Sequence, residues 1–152
     1  MSRRHEIQLT PDEQAAFLQQ PHKAALSTLD KDGFPHVVAM GFLAKDGAIY
    51  MTSYARAQKV LNIRRNPKVG LMIEAGQNYA EYQGVLIRGH CEIIEEPEQV
   101  QAIMQAMLAK QAGPAASQPP REALASAPKR AVLKVTPEKV SSWDHTKLGG
   151  KY

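Results

Sequence analysis

Two Asp-Gly pairs, Asp32-Gly33 and Asp46-Gly47, each lie between short apolar runs, and they constrain the fold more than any other feature. Glycine takes positive φ at no steric cost, and Asp-Gly favours the tight turns whose twist matches antiparallel strands. Residues 24–29, 35–43 and 48–52 therefore read as three consecutive strands of a meander. A fourth strand is predicted over 69–74 and a long extended stretch over 82–95. Gly84 and Gly89 mark bulges or close approaches within it. A last core strand is expected over 131–135. Pro137 should break it, with 140–143 continuing extended.

Helices are few and short. Thr10, Pro11 and Glu13 form a capping box that opens a helix to about residue 19, seated by Phe17 and Leu18. A second helix is predicted over 55–65, with Val60, Leu61 and Ile63 near one face and Asn66-Pro67 ending it. A third runs over 97–111 with Ile103, Met104, Met107 and Leu108 as its apolar stripe. Residues 112–129 are rich in Ala, Pro and Ser and read as a flexible loop or lid, with a helical turn near 121–124. About six strands with short helices between them predict a mainly β, closed or nearly closed antiparallel barrel rather than a doubly wound sheet.

The length, 152 residues, suits one domain spanning 1–152, and 43% apolar residues suffice for a core. A net charge of +4 suits an anionic small ligand and is too small to indicate nucleic acid. The lone Cys91 excludes an intrachain disulfide and fits a reducing, cytoplasmic setting. No apolar region follows Arg3-Arg4 as a signal peptide requires, and no apolar run is long enough to span a bilayer.

Nucleophile elbows, phosphate-binding glycine loops and dinucleotide fingerprints are absent from the sequence. The five histidines lack metal-ligand spacing, so no metal site is expected. His90 and Cys91 fall on opposite faces of a strand and make a poor ligand pair.

The informative stretch is Thr52-Ser53-Tyr54-Ala55-Arg56-Ala57-Gln58-Lys59, which leaves a strand and opens a helix. Ser53 is placed to cap that helix, with Arg56 in its first turn and Lys59 one turn on. Cations at a helix N-terminus oppose the macrodipole, and a bound dianion removes the conflict. The competing reading is a solvated basic face, and the residues alone leave both open. Arg64 and Arg65 sit at the helix C-terminus, where positive charge needs no ligand. The strand His36-Val37-Val38-Ala39-Met40 is suited to backbone contact with a planar heterocycle walled by Met40 and Met51, or simply to filling the barrel core. Tyr79, Tyr82 and Trp143, near turns and chain ends, either cover a substrate pocket or fill an interface.

These pieces, taken in order, resemble the pyridoxamine 5′-phosphate oxidase-like split-barrel proteins, especially their flavin/deazaflavin oxidoreductase branch. The matching segments are Ala25-Leu26-Ser27-Thr28-Leu29 with Asp32-Gly33-Phe34-Pro35, the basic helix from Arg56 to Asn66-Pro67, Gly84-Val85-Leu86-Ile87-Arg88-Gly89, and Ser142-Trp143-Asp144-His145. The resemblance implies an FMN-binding type split barrel that works as a homodimer with two interfacial cofactor sites. It implies FMN or the deazaflavin coenzyme F420 as cofactor, and hydride transfer to or from a small organic substrate. Carried over residue by residue, it implies cofactor contacts from Val37, Val38, Met51, Thr52, Ser53, Arg56 and Lys59. Tyr79, Tyr82 and the Trp143 region are implied as partner-subunit or substrate-pocket residues. The substrate-phosphate residues of true pyridoxamine-phosphate oxidases are not recognisable, so vitamin B6 is not the expected substrate. No general acid or base is assigned. A non-catalytic FMN-binding redox carrier would share the same site. A nucleic-acid module using the 56–65 helix as a basic ridge is disfavoured, because only one short stretch is basic.

Overall fold

The computed structural model describes residues 3–113 and 121–150. Helix α1 (Pro11–Gln19) begins as its sequence predicts. Thr10 Oγ1 accepts from the Glu13 N–H, the Glu13 carboxylate accepts from the Thr10 N–H, and Phe17 and Leu18 are buried. The chain continues through β1 (Ala24–Leu29), β2 (Pro35–Met40), β3 (Leu43–Lys45), β4 (Ala48–Tyr54), α2 (Gln58–Arg65), β5 (Lys68–Ala75), β6 (Gln83–Ile94), α3 (Pro97–Ala112) and β7 (Arg130–Asp144). Both Asp-Gly turns form. Gly33 has φ 84°, and Asp46 and Gly47 have φ 50° and 75°, the paired positive angles of a two-residue hairpin loop. The predicted turn at 121–124 is a 3₁₀ turn over Arg121–Leu124, while residues 114–120 of the expected lid lie outside the described residues.

All seven strands join one antiparallel sheet in the order β2-β1-β5-β6-β7-β4-β3. The stretch 35–43, expected as one strand, is two. The chain turns a corner at Gly41-Phe42, so that β2 pairs with β1 while β3 pairs with β4. The corner links the two edges of the sheet, which curls into the expected split barrel. Leu26, Leu71, Ile73, Val85, Ile87 and Leu133 face inward from four strands, β1, β5, β6 and β7, and are almost wholly buried. Helix α3 covers the outer side of β4 and β7 by packing Val100 and Met104 against Val132. No helix among the described residues is long and apolar enough to cross a membrane.

Pro137 does not break the last strand. β4 pairs only with residues 130–135, so one side of β7 has no ladder partner from Thr136 onward and the missing N–H forfeits no bond there. A register shift between Arg88 and Gly89 absorbs one extra residue, Glu138, opposite them. Gly84 is the predicted close approach. A Cβ there would lie 2.2 Å from Trp143 Cζ2 and 2.9 Å from the Ile73 carbonyl oxygen. Gly84→Ala should therefore destabilise the fold by about 2–3 kcal/mol, the usual cost of overpacking a tight site. Thermal or urea unfolding reads this directly, and an unchanged midpoint would mean that Trp143 swings aside freely.

Candidate functional site

Strand β4 ends in Thr52-Ser53-Tyr54, and residues 55–57 turn the chain into α2. The turn closes on its own backbone: the Ala57 N–H donates to the Tyr54 carbonyl, and the Ala55 N–H to that of Lys129. The helix starts at Gln58, with Ala57 as N-cap and no side-chain cap bond. Two expectations change as a result. Ser53 does not cap α2, because the intervening turn carries it out of reach of the first helical N–H groups. Arg56 precedes the helix and is exposed, and Lys59 takes the first-turn position instead.

Ser53 is buried on the inner face of β4, where its Oγ accepts from Lys59 Nζ at 3.3 Å and donates to the Tyr54 carbonyl. Thr52 falls on the other face by strand alternation, opposite Val132. The two hydroxyls therefore do not converge. Ser53 joins Lys59, and Thr52 does not.

A second cation, invisible as a site residue in the sequence, lies on the neighbouring strand. Arg130 opens β7 directly across from Tyr54. Its guanidinium lies 4.4 Å from the Tyr54 ring centroid, and its Nε donates to Ser126 Oγ. Partial burial, and then the charge of Arg130, hold the Lys59 pKa below the usual lysine range. Among the described residues no carboxylate pairs with Lys59, Arg130 or Arg56. A lysine drawn partly out of water, with a second cation's charge acting on it and no acid beside it, costs stability unless an anion joins it.

Helix α2 is seated by a buried polar anchor. Asn62 is fully enclosed; its Nδ2 donates to Thr28 Oγ1 at 3.0 Å, and its Oδ1 accepts from Gln58 Nε2 and from Arg65. Arg65 also reaches the Leu29 carbonyl, and Arg64 pairs with Glu95 at 2.8 Å, so both are structural as predicted.

Beside this anchor the sheet opens. The β3–β4 ladder stops at Leu43 and Tyr50, leaving residues 51–54 paired on one side only, with β7. β2 likewise has only β1. Two strand edges with outward-facing backbone donors and acceptors thus diverge from the Gly41-Phe42 corner. Val37 projects outward at 59% exposure, while Val38 packs against the core. Met51 is 0% exposed and Met40 also packs on the core, so neither thioether stands ready to wall a ligand. Only the backbone of Met51 lies along the open edge.

Tyr79 and Tyr82 gather around His145, with ring centroids 5.8 Å apart from each other and 4.6 and 6.0 Å from the imidazole. His145 Nδ1 lies 2.7 Å from the Tyr79 carbonyl oxygen, which can only accept, so Nδ1 carries the proton. Trp143 lines a cavity of about 480 Å³ with Arg4, Leu86, Ser142 and His145. This region is the far end of β7 from Arg130, thirteen residues and roughly 40 Å of extended strand away. Cys91 takes no part: it is buried and its thiol is pushed up to about 12 by burial.

Residues 10–144 match the family described as pyridoxamine 5′-phosphate oxidase. The chain belongs to that family. Its fold is that of a conserved hypothetical protein of Mycobacterium tuberculosis, with a TM-score of 0.89 and 31% identity over all of this chain and 95% of the other. It is also similar to an F420 reductase, with a TM-score of 0.66 and 29% identity over 83% of this chain and 94% of that one. A heme storage protein of Vibrio cholerae shares the fold alone, at 15% identity with a TM-score of 0.67 over 87% of this chain and 94% of that one. No curated protein matches the chain. Membership of the pyridoxamine 5′-phosphate oxidase family supports the split barrel predicted from the sequence, whereas the residues at its sites rest on the geometry above.

The electrostatics of Lys59 carry a sign. Its pKa is lowered on folding, so between that value and the ordinary lysine value the unfolded chain binds more protons and stability rises with pH. Below the lowered value the cost of the charged form is fully present. Lys59→Met should remove this alkaline gain and leave stability at neutral pH unchanged or higher. Denaturant titrations across the alkaline range check it; a marked loss of neutral-pH stability would show that Lys59 serves the fold instead.

Proposed function

We propose that this protein binds a flavin-type cofactor, FMN or coenzyme F420, and uses it as an oxidoreductase acting on a small organic substrate. The observation that carries the reading is the half-buried Lys59 ammonium on the buried Ser53 hydroxyl, with no carboxylate partner among the described residues. That set fits a phosphate dianion: Lys59 and Ser53 donate to it, Arg130 adds charge, and exposed Arg56 closes over it. The ring then lies along the open edges at Val37, Val38, Met51 and Thr52, held by backbone groups. The cofactor supplies hydride transfer when bound; the protein anchors its phosphate, orients its ring and shapes the pocket. Similarity to an F420 reductase supports the deazaflavin option, and family membership supports the flavin class as a whole.

The unit of function is a homodimer of single-domain chains, each acting over its whole length. Ala39, Ala25, Met72 and Leu86 lie side by side across β2, β1, β5 and β6 on the outer face of the sheet. Val37, Met72 and Leu86 are exposed large apolar residues there. A second copy covering this row would bring toward the cofactor its own Trp143, which lies at the far end of β7 from Arg130, together with the Tyr79 and Tyr82 rings gathered around the neighbouring His145.

The test begins with the visible spectrum of the purified protein and titrations with FMN and F420. Arg56→Ala with Lys59→Ala should weaken the preferred cofactor by about 3 kcal/mol, roughly 150-fold, for two lost charge-assisted contacts. Unchanged affinity would move the phosphate elsewhere. Tight binding with no turnover by any reductant–acceptor pair would make the protein a redox carrier. Met72→Lys with Leu86→Lys should convert the dimer to monomers in sedimentation and release the cofactor; a dimer that persists would place the interface on another face.

A further inference from the structure

A second cluster of cations lies at the Gly41-Phe42 corner and shares no residue with the site above. A cavity of about 350 Å³ is lined there by His22, Lys23, Gly41, Phe42, Lys110 and Gln111, with Pro21 at its rim. Lys110, in the last turn of α3, is half-buried. Its Nζ donates to the Leu18 carbonyl at 3.0 Å and the Phe42 carbonyl at 3.1 Å, and lies 3.8 Å from the Phe42 ring centroid. Those contacts engage two of three N–H donors with neutral acceptors and leave the charge without a counter-ion.

One further lysine and two neutral polar side chains complete the lining. Lys23 is exposed and, like Lys110, has no carboxylate partner among the described residues. The His22 ring stacks on Phe17 at 4.6 Å, and its Nε2 is buried with no hydrogen-bond partner. Gln111 lays its amide nitrogen over Gly41, where a Cβ would come within 3.3 Å of it. The cavity thus presents two lysines, a side-chain amide and an imidazole that burial and the Lys110 charge hold toward its neutral form, and its lining contains no acid. Burial lowers the Lys110 pKa, the cost that a bound anion would offset.

We propose that this cavity is a second anion site, taking a small dianion such as a phosphate ester or a short dicarboxylate, with Lys110 as its anchor and Lys23 at its mouth. The site accounts for a cation held at the meeting of α1, α3 and the β2–β3 corner with neutral partners only. A clamp on two carbonyls needs no second lysine, no orphaned imidazole nitrogen and no open volume beside it.

The experiment uses the Arg56→Ala, Lys59→Ala protein, so that only this site remains to report. Titration of ¹⁵N-labelled protein with inorganic phosphate, and separately with succinate, should give saturable shifts at the Gly41, Phe42 and Gln111 amides. The ion that binds more tightly identifies the ligand as ester or dicarboxylate. Lys23→Glu alters only an exposed side chain and should weaken binding about tenfold or more, the effect of one charged contact. Lys110→Met should abolish binding while leaving the amide spectrum dispersed; if it unfolds the protein, Lys23→Glu decides. Absence of saturable shifts with both ions, or shifts indifferent to Lys23→Glu, overturns the proposal.

Discussion

The bond from Asn62 to Thr28 holds the candidate site together. A fully enclosed amide on α2 meets a buried hydroxyl on β1, and Gln58 and Arg65 use its remaining acceptor capacity. Breaking a buried pair of this kind strands its partner, which is why such contacts fix geometry even when their net contribution is modest. Here the geometry fixed is the placement of α2 against the barrel. Lys59 lies one turn ahead of Asn62, so seating the amide carries the lysine over the end of β4 and onto Ser53. The helix needs such an anchor because it is eight residues long, lacks a side-chain cap and has no acid in its first turn.

Much of the fold was legible because its signals are local. Asp32-Gly33 and Asp46-Gly47 announce hairpins through the backbone angles they permit, and Thr10 with Glu13 announces a helix start through bonds made three residues apart. The errors came where tertiary context decides. Ala55-Arg56-Ala57 reads as helix by propensity, yet its backbone is claimed by Tyr54 and Lys129, and the second of these lies across the sheet. Pro137 reads as a strand break, but whether a missing N–H matters depends on which side of β7 still has a partner. The split of 35–43 into β2 and β3 is marked in the sequence only by Gly41.

The site was half legible for the same reason. Lys59 and Arg56 stand together in the chain and could be read as a pair. Thr52 and Ser53 also stand together, but adjacent strand residues face opposite ways, so only one of them reaches the lysine. Arg130 lies far along the sequence and is set opposite Tyr54 by the β4–β7 ladder, a pairing between non-consecutive strands that composition and periodicity do not encode; its side chain starts from the face that Thr52 shares, and its charge still acts on Lys59.

The charge balance gives this weight. A net charge of +4 is unremarkable as a total. Its distribution is not even. Arg3, Arg64 and Lys147 each meet a carboxylate within 3 Å, on exposed surfaces where such pairs contribute little. Lys59, Arg130 and Lys110 are drawn into the protein and meet none. Stability alone would favour the reverse, with acids beside the half-buried cations and solvent around the exposed ones. The cost of leaving half-buried cations unpaired shows in the lowered pKa values of Lys59 and Lys110, and it is this cost that the two proposed anion sites would offset.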